Sequence, residues 1–334
     1  MIIHLEKNIT PQNREAVDKL LQQHSIKAMD VTTQSNHYLV AVLNKETDIR
    51  LFGKMKGVED VYRVTDGYKL VSRKWKVHPT EIDLGDGVVI SEKSFSVMAG
   101  PCSIESEEQI EKIVAQLVKS GVKIMRGGVY KPRSSPYAFR GLGIEGLKTF
   151  HRICKANGIK IITEVMQVSQ IEEMVDYVDI FQVGARNTQN FNLLDALGKV
   201  DKPVLIKRGI SGSIDELLQS AEYVFAAGNE KLMLCERGIR TFETAYRNTF
   251  DINAIPILKE KSHLPVIADS SHGIGIRKHV AKVTLASMIA GADGAIVEMH
   301  YEPEKAFSDG QQTLNFEEFD GLVKKMNELR EFCR

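Results

Sequence analysis

The sequence predicts a (β/α)8 barrel preceded by a small ferredoxin-like βαββαβ unit. Three observations carry this. From Phe95 onward, eight apolar strand-like runs alternate with amphipathic helical stretches. The runs are almost continuously apolar, as strands of a parallel sheet covered on both faces are. No GxGxxG turn follows the first run, where an open doubly wound sheet usually carries one. Eight βα units of this kind close into a barrel.

Residues 1–70 are assigned to the ferredoxin-like unit. MIIHLE alternates like a short strand, and PQNREAVDKLLQQH has helical spacing, with Val17, Leu20 and Leu21 on one face. AMDVTTQ and HYLVAVL read as strands joined through Ser35-Asn36; ETDIRLFGKM reads as a second helix and VEDVYRV as a further strand. That order is the split βαβ arrangement. The unit holds no Cys cluster, Gly-rich phosphate loop or tight group of titratable residues, which leaves an oligomerising module and a ligand-sensing module as alternatives. Residues 71–93 form a linker, in which EIDLGDGVVIS looks like a hairpin turning at Gly85-Asp86-Gly87, suited to cover one end of a barrel. Residues 94–334 carry the eight runs: FSVMAG, VKIMRGG, KIITEV, IFQVGA, PVLIKRG, LMLCERG, PVIADSS and AIVEMH. Intervening stretches such as EEQIEKIVAQLVKSG have helical periodicity and end at Gly.

Composition narrows the classes. The 334 residues are 43% hydrophobic and 26% charged, an ordinary globular balance. Lys+Arg and Asp+Glu both number 44, so the formal net charge is zero and neither nucleic acid nor an anionic membrane is an expected partner. Cys102, Cys154, Cys235 and Cys333 are scattered, which suits a reducing compartment. MIIHLEKNITPQ lacks a signal-peptide core and no run of 18 apolar residues exists, so a cytoplasmic location is expected.

Barrel chemistry belongs at the C-terminal ends of the strands. Arg126, Lys131, Arg186, Lys207 and Arg237 all fall there. Such like charges repel in a barrel mouth and cost several kcal/mol to desolvate unless anions join them. Phosphate fits, because Arg offers a bidentate fork, Lys a compact charge, and the neighbouring glycines a close backbone approach. Cys102, His272, Glu298 and Asp309, from loops one, seven and eight, together offer sulfur, nitrogen and two carboxylates, a set suited to a divalent transition metal.

The motifs Ala99-Gly100-Pro101-Cys102-Ser103, Lys131-Pro132-Arg133-Ser134-Ser135, Gly184-Ala185-Arg186, Asp269-Ser270-Ser271-His272 and Ser308-Asp309-Gly310 closely resemble the type I-beta DAHP synthases (3-deoxy-D-arabino-heptulosonate 7-phosphate synthases) over roughly residues 80–334. The N-terminal segment resembles the ferredoxin-like regulatory domain found on some members. The resemblance implies a (β/α)8 transferase of the shikimate pathway, condensing phosphoenolpyruvate with erythrose 4-phosphate and water. It implies one divalent ion (Mn, Fe, Co or Zn) on Cys102, His272, Glu298 and Asp309. Arg126, Arg186, Lys207 and Arg237, with the backbone of Ala185, look like the phosphoenolpyruvate site; Arg208 and Arg240 are alternatives to Arg237. Lys131, Pro132, Arg133 and Ser134 look like the aldose phosphate site. Lys131 is a candidate proton donor, while Glu164 and a metal-bound water are both candidates for activating the attacking water. A homotetramer and feedback by tyrosine or phenylalanine are also implied. The related KDO8P synthases, which use arabinose 5-phosphate, typically read Lys-Ala-Asn-Arg where this chain reads Lys131-Pro132-Arg133, and metal-free relatives carry Asn in place of Cys102.

Overall fold

The computed structural model describes residues 1–43, 47–132 and 135–332. The N-terminal unit runs β1 (Ile2–Leu5), α1 (Pro11–Gln23), β2 (Ala28–Thr32), β3 (His37–Ala41), α2 (Arg50–Gly53) and β4 (Val58–Tyr62). Its strands form one antiparallel sheet in the order β2-β3-β1-β4, the split βαβ topology. α1 starts where Thr10 accepts a hydrogen bond from Asn13 N and Pro11 takes the first helical position. α2 is much shorter than ETDIRLFGKM predicts. The Asp48 carboxylate accepts from Arg50 N, which delays the start, and Lys54 already caps the end. Alternation in β1 turns Ile3 and Leu5 onto the helices, where they pack with Val17, Leu21, Leu39 and Phe52.

The hairpin follows as β5 (Ile82–Asp83) and β6 (Val89–Ile90), with Asp86 at its turn. Then eight parallel strands close into a barrel: β7 (Ser96–Gly100), β8 (Ile124–Arg126), β9 (Lys160–Val165), β10 (Ile180–Val183), β11 (Val204–Lys207), β12 (Leu232–Glu236), β13 (Val266–Ala268) and β14 (Gly294–Glu298). Between and after them lie α3 (Glu107–Lys119), α4 (Gly143–Ala156), α5 (Ser169–Met174), α6 (Phe191–Leu197), α7 (Ile214–Ala226), α8 (Ala254–Lys261), α9 (Ser270–Ile274), α10 (Arg277–Ile289) and α11 (Phe316–Phe332). Local chemistry starts the main helices: Ser106 caps α3, and Ser213 with Glu216 forms a capping box on α7. One expectation needs correction. PVIADSS reads as strand throughout, but β13 ends at Ala268. Asp269 accepts from His272 N and starts α9 there.

Strand alternation organises the lumen. Met98, Ile124, Ile162, Ile180, Leu205, Met233, Cys235, Ile267 and Ile296 fill it, and Ile82 and Ile90 of the hairpin join them. The hairpin thus plugs the N-terminal end of the barrel, held also by a Lys160–Asp86 ion pair of 2.8 Å. Burying each such aliphatic side chain contributes about 1.5–3 kcal/mol. Two residues beyond an apolar lumen residue, on the same face, each strand or its immediate end presents a residue of the mouth: Gly100, Arg126, Glu164, Gln182, Lys207, Arg237, Asp269 and Glu298.

The other face of the N-terminal sheet docks on the barrel. Tyr38 lies 5.4 Å from Trp75, edge-on, and 6.1 Å from Phe225 of α7. Trp75 lies 5.7 Å from buried His263. The His263 ring bridges Leu70 O and Thr80 Oγ1, both at 2.8 Å. Only a protonated Nε2 can bond the carbonyl, so Nδ1 accepts from Thr80. Glu222 of α7 accepts from Leu70 N and Val71 N, and Asn36 donates to Glu230 at 3.0 Å. These contacts lie on α7 and just before β12 and β13, at the N-terminal ends of the strands, so the unit leaves its own barrel's mouth uncovered. No described helix is long and apolar enough to cross a membrane.

Candidate active site

At the C-terminal ends of the strands lies a cavity of about 360 Å³. Arg126, Lys131, Pro132, Glu164, Ala185, Arg186, Lys207, Arg237, His272 and Asp309, all singled out from sequence, line it. Arg133 and Ser134 lie outside the described residues, as does Cys333.

The basic residues differ in setting. Arg186 is exposed at the rim, whereas Lys207 and Arg237 are buried. Lys207 Nζ donates to Asp269 Oδ2. Arg237 donates to its neighbour's carbonyl, Gly238 O, at 3.1 Å, and among the described residues no carboxylate pairs with it. Burial pulls its pKa below the usual arginine range. Arg208, weighed as an alternative, is tied at 2.8 Å to both Glu236 and Asp251 and does not line the cavity; Arg240 does. Glu164 lines the cavity beside Gly184, whose missing side chain makes room for the carboxylate.

The candidate metal ligands gather at one side. One ligand atom each from Cys102, Glu298 and Asp309 lies within 4.8 Å of the other two. Cys102 Sγ is 3.2 Å from Asp309 Oδ2. His272 Nε2 is 3.4 Å from Glu298 Oε1 and 3.9 Å from Asp309 Oδ2. Asp269 fixes the ring: Nδ1 donates to it at 2.8 Å, which leaves the Nε2 lone pair facing the two carboxylates. Burial lowers the His272 pKa despite Asp269 and Glu298, so that lone pair is kept. Burial also opposes ionisation of Asp269, yet His272 and Lys207 override it and hold the carboxyl well below its usual range. His272 gives its Nδ1 proton to Asp269, and the Cys102 thiol gives its own to Asp309. Burial, with Glu298, pushes that thiol up to about 11, against the pull of Lys131. Three sets of lone pairs around one point, with a buried thiol beside them, fit a divalent cation with nitrogen, sulfur and oxygen ligands. Lys131 Nζ sits over this group, donating to Cys102 O at 2.8 Å and to Sγ at 3.1 Å.

Sequence reasoning passed over several residues now seen here. Gln182, Arg247 and Asn248 also line the cavity, and Gln312 lies buried beside Glu298. Gln182 carried a signal, standing two residues past Ile180 on the inward face. Arg247, Asn248 and Gln312 lie in loops and carried none.

A closed parallel barrel with polar side chains gathered at one mouth is the architecture of a (β/α)8-barrel enzyme with its site in the βα loops. A model of the DAHP synthetase I family matches residues 77–333, and the chain belongs to that family. It is 44% identical to the phospho-2-dehydro-3-deoxyheptonate aldolase of Thermotoga maritima over 98% of this chain and 97% of that one. The crystal structure of the Thermotoga maritima DAHP synthase superposes with a TM-score of 0.80, at 43% identity, covering 99% of this chain and 97% of the other. A 2-dehydro-3-deoxyphosphooctonate aldolase of Syntrophobacter fumaroxidans is 31% identical over 74% of this chain and 91% of its own.

Proposed function

We propose that the chain condenses phosphoenolpyruvate with erythrose 4-phosphate and water, giving DAHP and phosphate. The observation that carries this is the 44% identity, over 98% of the chain, to a phospho-2-dehydro-3-deoxyheptonate aldolase, with a mouth whose residues suit two phosphorylated substrates. Lys207 and Arg237, with Arg126, Arg186 and the Ala185 backbone, hold the carboxylate and phosphate of phosphoenolpyruvate and balance their charge. Lys131, Pro132, Arg133 and Ser134 hold the aldose phosphate. C3 of the enol phosphate forms a bond to the aldehyde carbon, and Lys131 gives a proton to the aldehyde oxygen as it gains charge. Water then adds at C2 and loses a proton, for which Glu164 is a candidate acceptor; the C2–O bond to the phosphate breaks as the C2 hydroxyl becomes the ketone, and its proton leaves with the phosphate. Cys102, His272, Glu298 and Asp309 would hold one divalent ion (Mn, Fe, Co or Zn), which when bound supplies Lewis-acid polarisation of the aldehyde.

The experiment follows phosphoenolpyruvate absorbance in the ultraviolet with erythrose 4-phosphate or arabinose 5-phosphate offered separately. Turnover with the first alone is expected; preference for arabinose 5-phosphate would move the assignment to KDO8P synthesis. The N-terminal unit contributes nothing to the cavity, and both edges of its sheet, β2 and β4, are unpaired among the described residues. Those edges are open to another subunit, and the family resemblance points to a homotetramer in which the unit binds tyrosine or phenylalanine between subunits. Indifference of the full-length enzyme to both amino acids would leave it an oligomerising role only.

A further inference from the structure

We propose that Gln312 and Arg247 are positioning residues, acting as one relay that fixes the orientation of both carboxylates of the donor group. The proposal rests on the metal reading given above. Each carboxylate turns one oxygen towards the other donors: Glu298 Oε1 faces His272 Nε2 and also accepts from buried Arg126 Nη1 at 3.0 Å, and Asp309 Oδ2 faces Cys102 Sγ. The opposite oxygens are held by the relay. Gln312 Nε2 donates to Glu298 Oε2 at 2.6 Å, and Arg247 Nη1 donates to Asp309 Oδ1 at 3.2 Å. The two halves join where Arg247 Nη1 donates to Gln312 Oε1 at 2.5 Å.

The chemistry permits only this reading of the amide. A carboxylate accepts and a guanidinium donates, so the amide nitrogen must face Glu298 and its oxygen Arg247. Gln312 is fully buried, which removes water as a substitute for either bond. The same turn delivers both residues. Asp309 takes a left-handed backbone conformation, φ 55°, and its carbonyl accepts from Thr313 Oγ1 at 2.8 Å and from Gln312 N. The bend that brings Asp309 to the donors therefore also sets Gln312 against Glu298. Arg247 lines the substrate cavity as well, so one guanidinium touches both the donor group's outer side and the space above it.

The test measures metal affinity, apart from turnover, on the full chain. Mn or Zn is titrated against a chromophoric chelator for wild type, Gln312→Leu, Arg247→Met and the double variant. Supporting contacts of this kind are worth roughly 10–100-fold in metal affinity, and each single variant is expected to lose that much. A relay acts as a unit, so the double variant should lose little more than the worse single one. Loaded with cobalt, the variants should shift the visible d–d bands while keeping the thiolate-to-cobalt band, because Cys102 is untouched. Unchanged affinity and spectrum in Gln312→Leu, or losses that multiply in the double variant, would overturn the relay. Should Gln312→Leu fail to fold, Arg247→Met decides alone on the same two readouts. If wild type and Cys102→Ser bind metal equally poorly, the metal reading itself fails and the relay falls with it; normal wild-type binding with unaffected variants sinks the relay only.

Discussion

A Cβ at Gly184 would stand 1.9 Å from Oε1 of Glu164. The glycine on β10's end thus holds open the place of a carboxylate on β9, its paired neighbour. Gly184→Ala should push Glu164 aside without touching the donor group. A fall in kcat of about a hundredfold is expected if Glu164 moves a proton, the lower range for such a group. Metal content should not change. Steady-state phosphoenolpyruvate consumption checks it, and an unaltered kcat would remove Glu164 from the chemistry.

Chelation is expected to abolish turnover, and Mn, Co, Fe or Zn to restore it to differing extents. Cys102→Ser should weaken metal binding, since a hydroxyl is a poorer ligand than a thiolate for these ions. Full activity in a preparation shown by elemental assay to be metal-free would end the metal reading.

Arg237 and Lys207 should respond differently to removal. Arg237→Met is expected to weaken phosphoenolpyruvate use by about 2–5 kcal/mol in kcat/KM. It should not lower the thermal midpoint of the ligand-free protein, because it relieves a buried charge that no carboxylate pairs with among the described residues. Lys207→Ala should also impair phosphoenolpyruvate use, but it takes the lysine partner from buried Asp269, which then keeps, among the described residues, only its bonds from His272, and should destabilise the fold by about 1.5–3 kcal/mol. Arg133→Ala should act on the aldose phosphate instead. Equal effects of all three on one substrate's KM would refute this division of the site.

His263 predicts a pH dependence at the docking face. Burial, helped by Lys76, holds its pKa down to about 3, against an ordinary 6.5. The unfolded chain therefore takes up the proton first. The neutral ring's contribution is intact above about pH 6.5 and declines at about 1.4 kcal/mol per unit as pH falls towards 3. Denaturation midpoints between pH 7 and 5 should slope less for His263→Gln than for wild type; parallel slopes would show that the ring is not responsible.

The sequence reading worked where one residue type signalled one physical demand. The run KIITEV matches β9 to the residue, because its β-branched Ile161, Ile162, Thr163 and Val165 suit a strand buried on both faces. It failed where side chains compete with the backbone. Asp269 turned an expected strand into α9, and Asp48 shortened α2. Among site residues, those at strand ends were legible because the barrel fixes where a strand end points. Arg247 and Gln312 were not, because they meet Glu298 and Asp309 only through the path of long loops, and nothing in their spacing announces it.

The hairpin carrying Ile82 and Ile90 makes the lumen a cup rather than a tube. With the base sealed by hydrocarbon, every species in the proposed reaction shares a single doorway: both phosphorylated substrates, the water and the departing phosphate. Arg237 and Lys207 lie deep and Arg186 at the lip, so a molecule resting on the lip obstructs whatever has still to reach the floor. Traffic in such a vessel is necessarily queued, with the innermost guest first in and its remains last to clear.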